Sequence, residues 1–187
     1  MTSVEHYKSN VADLIKDLDI SLLFLNAGGS TPGAFADLLD SEIERQYRVN
    51  VMQPIYLTKA LLPQMLTRKQ RSGIVLTSSV IAHAPAPGLA SYCSTKAAVR
   101  YWAEALHYEV ADKIDVLSWD CGSVDTNLNT FNVGFRVSPK TAVEGCLQNV
   151  GKTRRSFGCW QSELEGIFTP WTPMWVNKML IMNEANR

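Results

Sequence analysis

The sequence carries no excess charge of either sign: 18 basic and 18 acidic side chains leave a formal net charge of zero. A nucleic-acid-binding domain normally shows a basic domain or face, so no electrostatic case exists for a nucleic-acid partner. Long apolar runs are lacking too. No window reaches the ~18 uninterrupted apolar residues of a membrane-crossing helix. Met1 to Asn10 has no apolar core of a secretory signal, so an intracellular, non-secreted protein is expected. Cysteine is sparse, with four residues in all, at 93, 121, 146 and 159. They form no CxxC pair and have no histidine at ligand spacing, so neither a zinc site nor a disulfide framework is indicated. Reduced, mostly buried thiols are expected. Repeats and low-complexity tracts are absent. Glycine is missing altogether before Gly28. That stretch therefore holds no Gly-rich turn of the kind that cradles phosphates at a helix N-terminus.

What is present is ordinary globular composition. The chain has 187 residues, 46% hydrophobic and 19% charged, enough for one domain. Residues 4–18 carry Val4, Tyr7, Val11, Leu14, Ile15 and Leu18 at helical spacing, which predicts an amphipathic helix. Ile20 to Leu25 is a short apolar run ending at Asn26-Ala27-Gly28-Gly29, the pattern of a buried strand and a turn. Residues 40–66 predict a long helix bent at Pro54, which lacks a backbone donor. Gly73–Thr77 predicts a second strand, 80–90 a loop and 91–112 a helix. Ile114–Trp119 predicts a third strand and 120–137 a loop. Ser138–Val150 predicts a helix opened by Ser138-Pro139. Phe157–Trp160 predicts a short fourth strand, followed by terminal helical pieces. Short apolar strands alternating with helices imply βαβ units, hence an α/β fold with a parallel sheet and helices on both faces.

Tyr92-Cys93-Ser94-Thr95-Lys96 is the strongest chemical feature. Tyrosine and lysine at i and i+4 project from one helix face. An ammonium beside a phenol favours the phenolate and makes the tyrosine usable as an acid or base. Alone, this spacing is weak, because a solvated lysine beside a half-buried tyrosine is commonplace. Ser79 adds to it, standing just past the Gly73–Thr77 strand, where parallel sheets bind ligands. A Ser–Tyr pair there would polarise a carbonyl; a turn or cap role is the simpler alternative. Asn26 suits an Asx-turn, and Asn50 suits back-bonding within its helix. His6, His83 and His107 are scattered and pair with no acidic residue in a recognisable site. Lys152, Arg154 and Arg155 form a small basic cluster, either a solvated turn or a contact for acyl-CoA phosphates or lipid headgroups. The tail Phe168–Met182, with Trp171 and Trp175, is too short and broken to span a bilayer. It suits lying on a membrane or docking on a partner.

Asn26-Ala27-Gly28, Asn50, Ser79, Tyr92-x-x-x-Lys96 and Gly122-Ser123-Val124-Asp125-Thr126 stand in the order of the short-chain dehydrogenase/reductase family. The sequence resembles that family over roughly residues 5–165. It is most similar to the 17-beta-hydroxysteroid dehydrogenase and very-long-chain 3-oxoacyl-CoA reductase branch, through Asn50-Val51-Met52, Leu61-Leu62-Pro63-Gln64-Met65, Gly73 to Ser79 and Pro170-Trp171 to Met182-Asn183. The resemblance implies NAD or NADP as cofactor and a catalytic set of Asn50, Ser79, Tyr92 and Lys96. Tyr92 would give a proton to a carbonyl oxygen and Ser79 would hold that oxygen. Lys96 would lower the Tyr92 pKa and bind the nicotinamide ribose, and Asn50 would position a relay water. Asn26, Ala27 and Gly28 would line the adenosine side of the cofactor groove, and Val124 and Thr126 its nicotinamide end. The substrate class implied is a long-chain 3-oxoacyl or steroid-like carbonyl.

The sequence departs from the family in front. Residues 4–18 match the helix before the family's fourth strand, so the first three strands and their Gly-rich turn have no counterpart. Residues 1–187 therefore read as a single partial domain, a truncated Rossmann-type sheet, with a tail from about 165 to 187 for docking or substrate entry. Leu25 stands where many members have a second Asn. Asp120-Cys121 precedes Gly122 where a proline is usual. In a doubly wound sheet of order 3-2-1-4-5-6, losing strands 1 to 3 makes the strand at 20–25 an edge. A bare apolar edge invites pairing, so a protein partner covering it is expected. Two functions follow: an oxidoreductase needing a partner or further segment to bind cofactor, or an inactive accessory subunit kept for packing. The first implies the endoplasmic reticulum membrane surface, the second a mitochondrial assembly.

Overall fold

The computed structural model describes residues 4–126 and 135–185. Four parallel strands form one sheet in the order β1-β2-β3-β4: β1 Leu22–Leu25, β2 Ser72–Thr77, β3 Ile114–Trp119 and β4 Arg155–Ser156. Pairing is in continuous register, Leu22 opposite Gly73 and Ser72 opposite Ile114. The α/β class expected from alternating strands and helices is the observed one. The fourth strand lies at Arg155–Ser156, before the expected Phe157–Trp160. It pairs there because Ser118 N–H donates to the Arg154 carbonyl and Asp120 N–H to that of Ser156.

Alternation along the strands sends side chains to two faces. On one face Leu23, Leu25, Ile74, Leu76, Ile114 and Val116 pack with Leu61 and Met65 and with Val99, Ala103, Leu106 and Val110. Those partners come from α3 (Gln53–Leu66) and α4 (Ala90–Val110). On the other face Val75, Leu117 and Trp119 meet Ala142 and Cys146 of α5 (Pro139–Leu147). Ser138 caps α5 as expected, its Oγ accepting from Thr141 N–H at 3.1 Å. This second layer stops short of β1. Leu22 and Phe24, which point that way, are 48% and 50% exposed. Full burial of such a side chain stabilises by about 1.5–3 kcal/mol, and here that gain is forgone.

Two helices differ from expectation. Residues 4–18 break into α1 (Val4–Asn10) and a 3-10 turn at Ala12–Leu14. Residues 40–66 are continuous helical backbone but not one α-helix. They divide into α2 (Asp40–Tyr47), a π-helical segment Arg48–Met52, and α3. The reason is Pro54. It has no N–H for the carbonyl of Asn50, four residues back, and its ring crowds that carbonyl. The backbone widens instead, and Gln53 N–H reaches back five residues to the Arg48 carbonyl. Such π-segments recur at functional sites. The expected loop at 80–90 contains a 3-10 turn, Val80–Ala82. Part of the loop at 120–137 lies outside the described residues; its two ends are tied by a parallel bridge between Val124 and Val137. The chain closes with α6 (Trp160–Phe168), a 3-10 turn at Thr169–Trp171 and α7 (Met174–Ala185). No helix among the described residues is long and apolar enough to cross a membrane.

Candidate active site

The carboxyl ends of β1, β2 and β3 open into a cleft of about 690 Å³, within the size range of small-molecule sites. Eight of the nine residues singled out in sequence line it: Asn26, Ala27, Gly28, Ser79, Tyr92, Lys96, Val124 and Thr126. Asn50, the ninth, does not line it and lies beneath. β1 delivers Asn26 to Gly28, β2 delivers Ser79, the first turns of α4 deliver Tyr92 and Lys96, and the segment after β3 delivers Val124 and Thr126.

Ser79 has extended backbone and begins the 3-10 turn, its Oγ accepting from Ile81 N–H at 3.4 Å. The cap role is the observed one, and Ser79 also lines the cleft together with Tyr92. Lys96 is 4% exposed. Its Nζ donates to the Thr77 carbonyl at 2.7 Å and stands 5.6 Å from the centre of the Tyr92 ring. Burial pulls the Lys96 pKa down to about 8, with the nearby Cys121 working the other way. The expected lowering of the tyrosine by this lysine is not what the structure holds. Burial pushes the Tyr92 phenol well above its ordinary value, Cys121 and Cys93 add to the rise, and only Ser79 opposes it. The lysine head is turned to the backbone carbonyl of Thr77. In this setting the phenol is held in its protonated form.

Asn50 does not back-bond within its helix. Its Oδ1 accepts from Gly29 N–H at 2.8 Å, and its Nδ2 donates to the Gly29 carbonyl at 2.8 Å and to Thr95 Oγ1 at 3.0 Å. The π-segment thus aims Asn50 at the turn after β1 and pins it against α4. Asn26 Oδ1 accepts from Thr77 Oγ1 at 2.8 Å, joining β1 to β2 at their ends. A Cβ added at Gly28 would lie 3.3 Å from Asn50 Oδ1 and 3.4 Å from Lys96 Nζ. The missing side chain leaves the backbone close to the lysine. With the apolar walls of the cleft, this cradle fits a flat ring and a ribose laid against Gly28 and Lys96.

Two polar clusters were not foreseen. His83 does have an acidic partner: Nε2 lies 2.7 Å from Oδ2 of fully buried Asp120, whose Oδ1 accepts from Ser118 Oγ at 3.1 Å. Arg155 Nε stands 3.9 Å from the same carboxylate. The cluster ties the Ser79 turn to the end of β3. Glu165 of α6 lines the cleft and holds the segment after β3. Its two oxygens accept from Ser123 N–H at 2.9 Å and Ser123 Oγ at 2.8 Å. Cys121, between Lys96 and Glu165, is pushed up to about 12 by burial.

The fold is a Rossmann-type α/β sheet with a Ser–Tyr–Lys cleft at its strand ends. The family model for short chain dehydrogenases matches residues 1–133, and the chain belongs to that family. It is similar to 17-beta-hydroxysteroid dehydrogenase 13 of Rattus norvegicus, 31% identical over 95% of this chain and 57% of the relative. It also matches the very-long-chain 3-oxoacyl-CoA reductase of Ajellomyces capsulatus (strain NAm1 / WU24), 35% identical over 58% of this chain and 34% of that one. A third relative, the inactive hydroxysteroid dehydrogenase-like protein 1 of Homo sapiens, is 28% identical over 89% of this chain and 53% of its own. The chain thus spans about half or less of the length of these curated relatives. A short chain dehydrogenase from Burkholderia cenocepacia J2315, solved in complex with NADP, shares the fold with a TM-score of 0.77 at 21% identity. That match covers 96% of this chain and 76% of the other.

Proposed function

We propose that this chain is the catalytic part of an NAD(P)-dependent oxidoreductase that reduces a carbonyl, or oxidises the corresponding hydroxyl, on a long-chain 3-oxoacyl or steroid-like substrate. The observation that carries the reading is the convergence of Ser79, Tyr92 and Lys96 in one apolar-walled cleft, with Gly28 on one side and Val124 and Thr126 on the other. The nicotinamide, when bound, supplies or takes the hydride. This chain's residues do the rest. Ser79 and Tyr92 are two hydroxyl donors for one carbonyl oxygen. Tyr92, held protonated by burial, gives that oxygen its proton. Lys96 presents a buried ammonium to ribose hydroxyls. Asn50 fixes the backbone of Gly29 and so the floor under that ribose. A positioned acid of this kind contributes about 10²–10⁴ in rate.

The dinucleotide's phosphate end needs more than the described residues offer. A parallel sheet is covered on both faces, and Leu22 and Phe24 of β1 are not. The cleft continues past Phe24 toward Val143 and Leu147 of α5, forming an apolar groove. A strand and helix carried by further polypeptide, on a partner protein or a longer form of the chain, would fill that groove and bring the Gly-rich turn. The exposed Phe168, Trp171, Met174 and Trp175 suit peripheral contact with a lipid surface, where tryptophan is favoured. The endoplasmic reticulum surface goes with that reading. The alternative, an inactive accessory subunit, is consistent with the likeness to a relative named as inactive.

The test is NADH and NADPH binding, followed by reduction of a long-chain 3-oxoacyl-CoA and of a 17-ketosteroid, by the chain alone and with whatever protein co-purifies. Binding and turnover in either preparation support the enzyme. Failure of both to bind either nucleotide rejects it in favour of the accessory subunit.

A further inference from the structure

We propose that Glu165 is a positioning residue, whose carboxylate sets the loop Gly122–Thr126 and with it one wall of the cleft. Both oxygens are committed to a single residue, Ser123, one to its amide and one to its hydroxyl. Hydrogen bonds to an ionised acceptor are the stronger kind. The neighbouring packing requires the same seat. A Cβ at Gly122 would come within 2.6 Å of Ser162 Oγ and 2.8 Å of Glu165 Oε2, so only glycine lets α6 come this close. One turn further on, Gly166 passes against the ring of Phe157, again with no room for a side chain. Phe157 in turn packs at a tilt against His83, which is bonded to Asp120 at the root of the same loop. α6 is therefore held at two points, and Glu165 is the polar one.

The consequence is a division of labour along the chain. Residues 1–133 match the family model, whereas Glu165 lies beyond them on α6, which is followed by the exposed apolar residues Trp171 and Trp175. The geometry of the loop carrying Val124 and Thr126 is set from outside the matched part. Anything that shifts α6 moves that wall. The inference rests on the proposed cofactor reading only where it says what the wall touches.

Hydrogen–deuterium exchange on the full chain, with any co-purifying partner, reads the positioning without activity. Glu165→Ala removes both acceptor oxygens, whereas glutamine would keep an acceptor for the Ser123 amide and a donor for its hydroxyl. Glu165→Ala should speed exchange of the Ser123 amide about ten- to hundredfold and leave the β2 and β3 amides unchanged. Ser123→Ala removes the hydroxyl contact alone and should give a smaller increase at neighbouring amides. NADPH dissociation constants are then measured for both variants and for the double variant. Glu165→Ala should weaken binding about tenfold, and the two changes should be non-additive because they break one interaction. Unchanged Ser123 exchange in Glu165→Ala overturns the proposal, as does additivity. If the wild type binds no NADPH, the cofactor reading fails, while the exchange result still decides whether Glu165 sets the loop.

Discussion

Lys96 offers a test of the site that needs no substrate. Its ammonium is buried, and burial lowers its pKa from 10.5 to about 8. In the unfolded chain the lysine keeps its proton to about pH 10.4. Between pH 8 and that value the unfolded state binds one more proton than the native state, so stability gained at this residue rises with pH. Below pH 8 both states carry the charge and the native state bears its full desolvation cost. Each pH unit above 8 returns about 1.4 kcal/mol. The buried thiols oppose this. Cys121 and Cys146 are pushed up to about 12 and about 11, so above pH 9 the unfolded state loses protons that the native state keeps. Comparison with Lys96→Met, which keeps the length and removes the charge, isolates the lysine. Urea unfolding of both proteins at intervals from pH 7 to 9.5 should show the wild type gaining about 2 kcal/mol on the variant. Parallel stability curves would refute a desolvated lysine and the seat described for it.

Tyr92→Phe removes the proton donor and leaves the ring in place. Carbonyl reduction by the competent preparation should fall by about 10²–10⁴, with unfolding midpoint and assembly retained; unchanged turnover rejects the assignment. Gly145→Ala would press a methyl against the backbone of Gly158. Overpacking with no flexible neighbour should cost about 1–3 kcal/mol in urea unfolding, and a neutral result would disprove the tight α5 contact. Phe24→Lys places a charge on the uncovered face of β1. It should reduce self-association in sedimentation without lowering stability, as expected of an edge protected by lysine; a loss of several kcal/mol would mean that the face is already covered.

The parts of the site that could be read from sequence are those set by local geometry. Tyr92 and Lys96 share a helix face because four residues make about one turn. Ser79 follows a strand whose apolar run is unmistakable. The break between α2 and α3 was legible only as a bend at Pro54. Its consequence, an opened helix aiming Asn50 at Gly29, depends on contacts across 21 residues. Glu165 could not be found at all. It meets Ser123 across 42 residues, and no spacing rule links a helix glutamate to a loop serine so far upstream. His83 and Asp120 meet across 37 residues for the same reason. Each is unremarkable alone, and burial alone makes their pairing matter. The Tyr92 pKa went the other way from expectation because spacing shows proximity but not desolvation.

The two faces of the sheet differ in a way that bears on where affinity and chemistry reside. The residues proposed to act on a carbonyl hang from β2, α4 and the loop after β3, all packed into the completed part of the fold. Lys96, Asn50 and Thr95 are buried there, Asn50 bonded to Thr95 and Lys96 to the end of β2. Their geometry does not wait on the uncovered face. The groove beside Phe24 is different, because its walls gain several kcal/mol of apolar burial only when something fills it. If a strand and helix fill it, the energy of that docking and the energy of binding a dinucleotide are linked, since the same segment brings the phosphate-holding turn. Cofactor should then strengthen association with the covering segment by the factor by which that segment strengthens cofactor binding. Equal affinity of the segment with and without NADPH would separate the two, and would leave the groove as a packing surface alone.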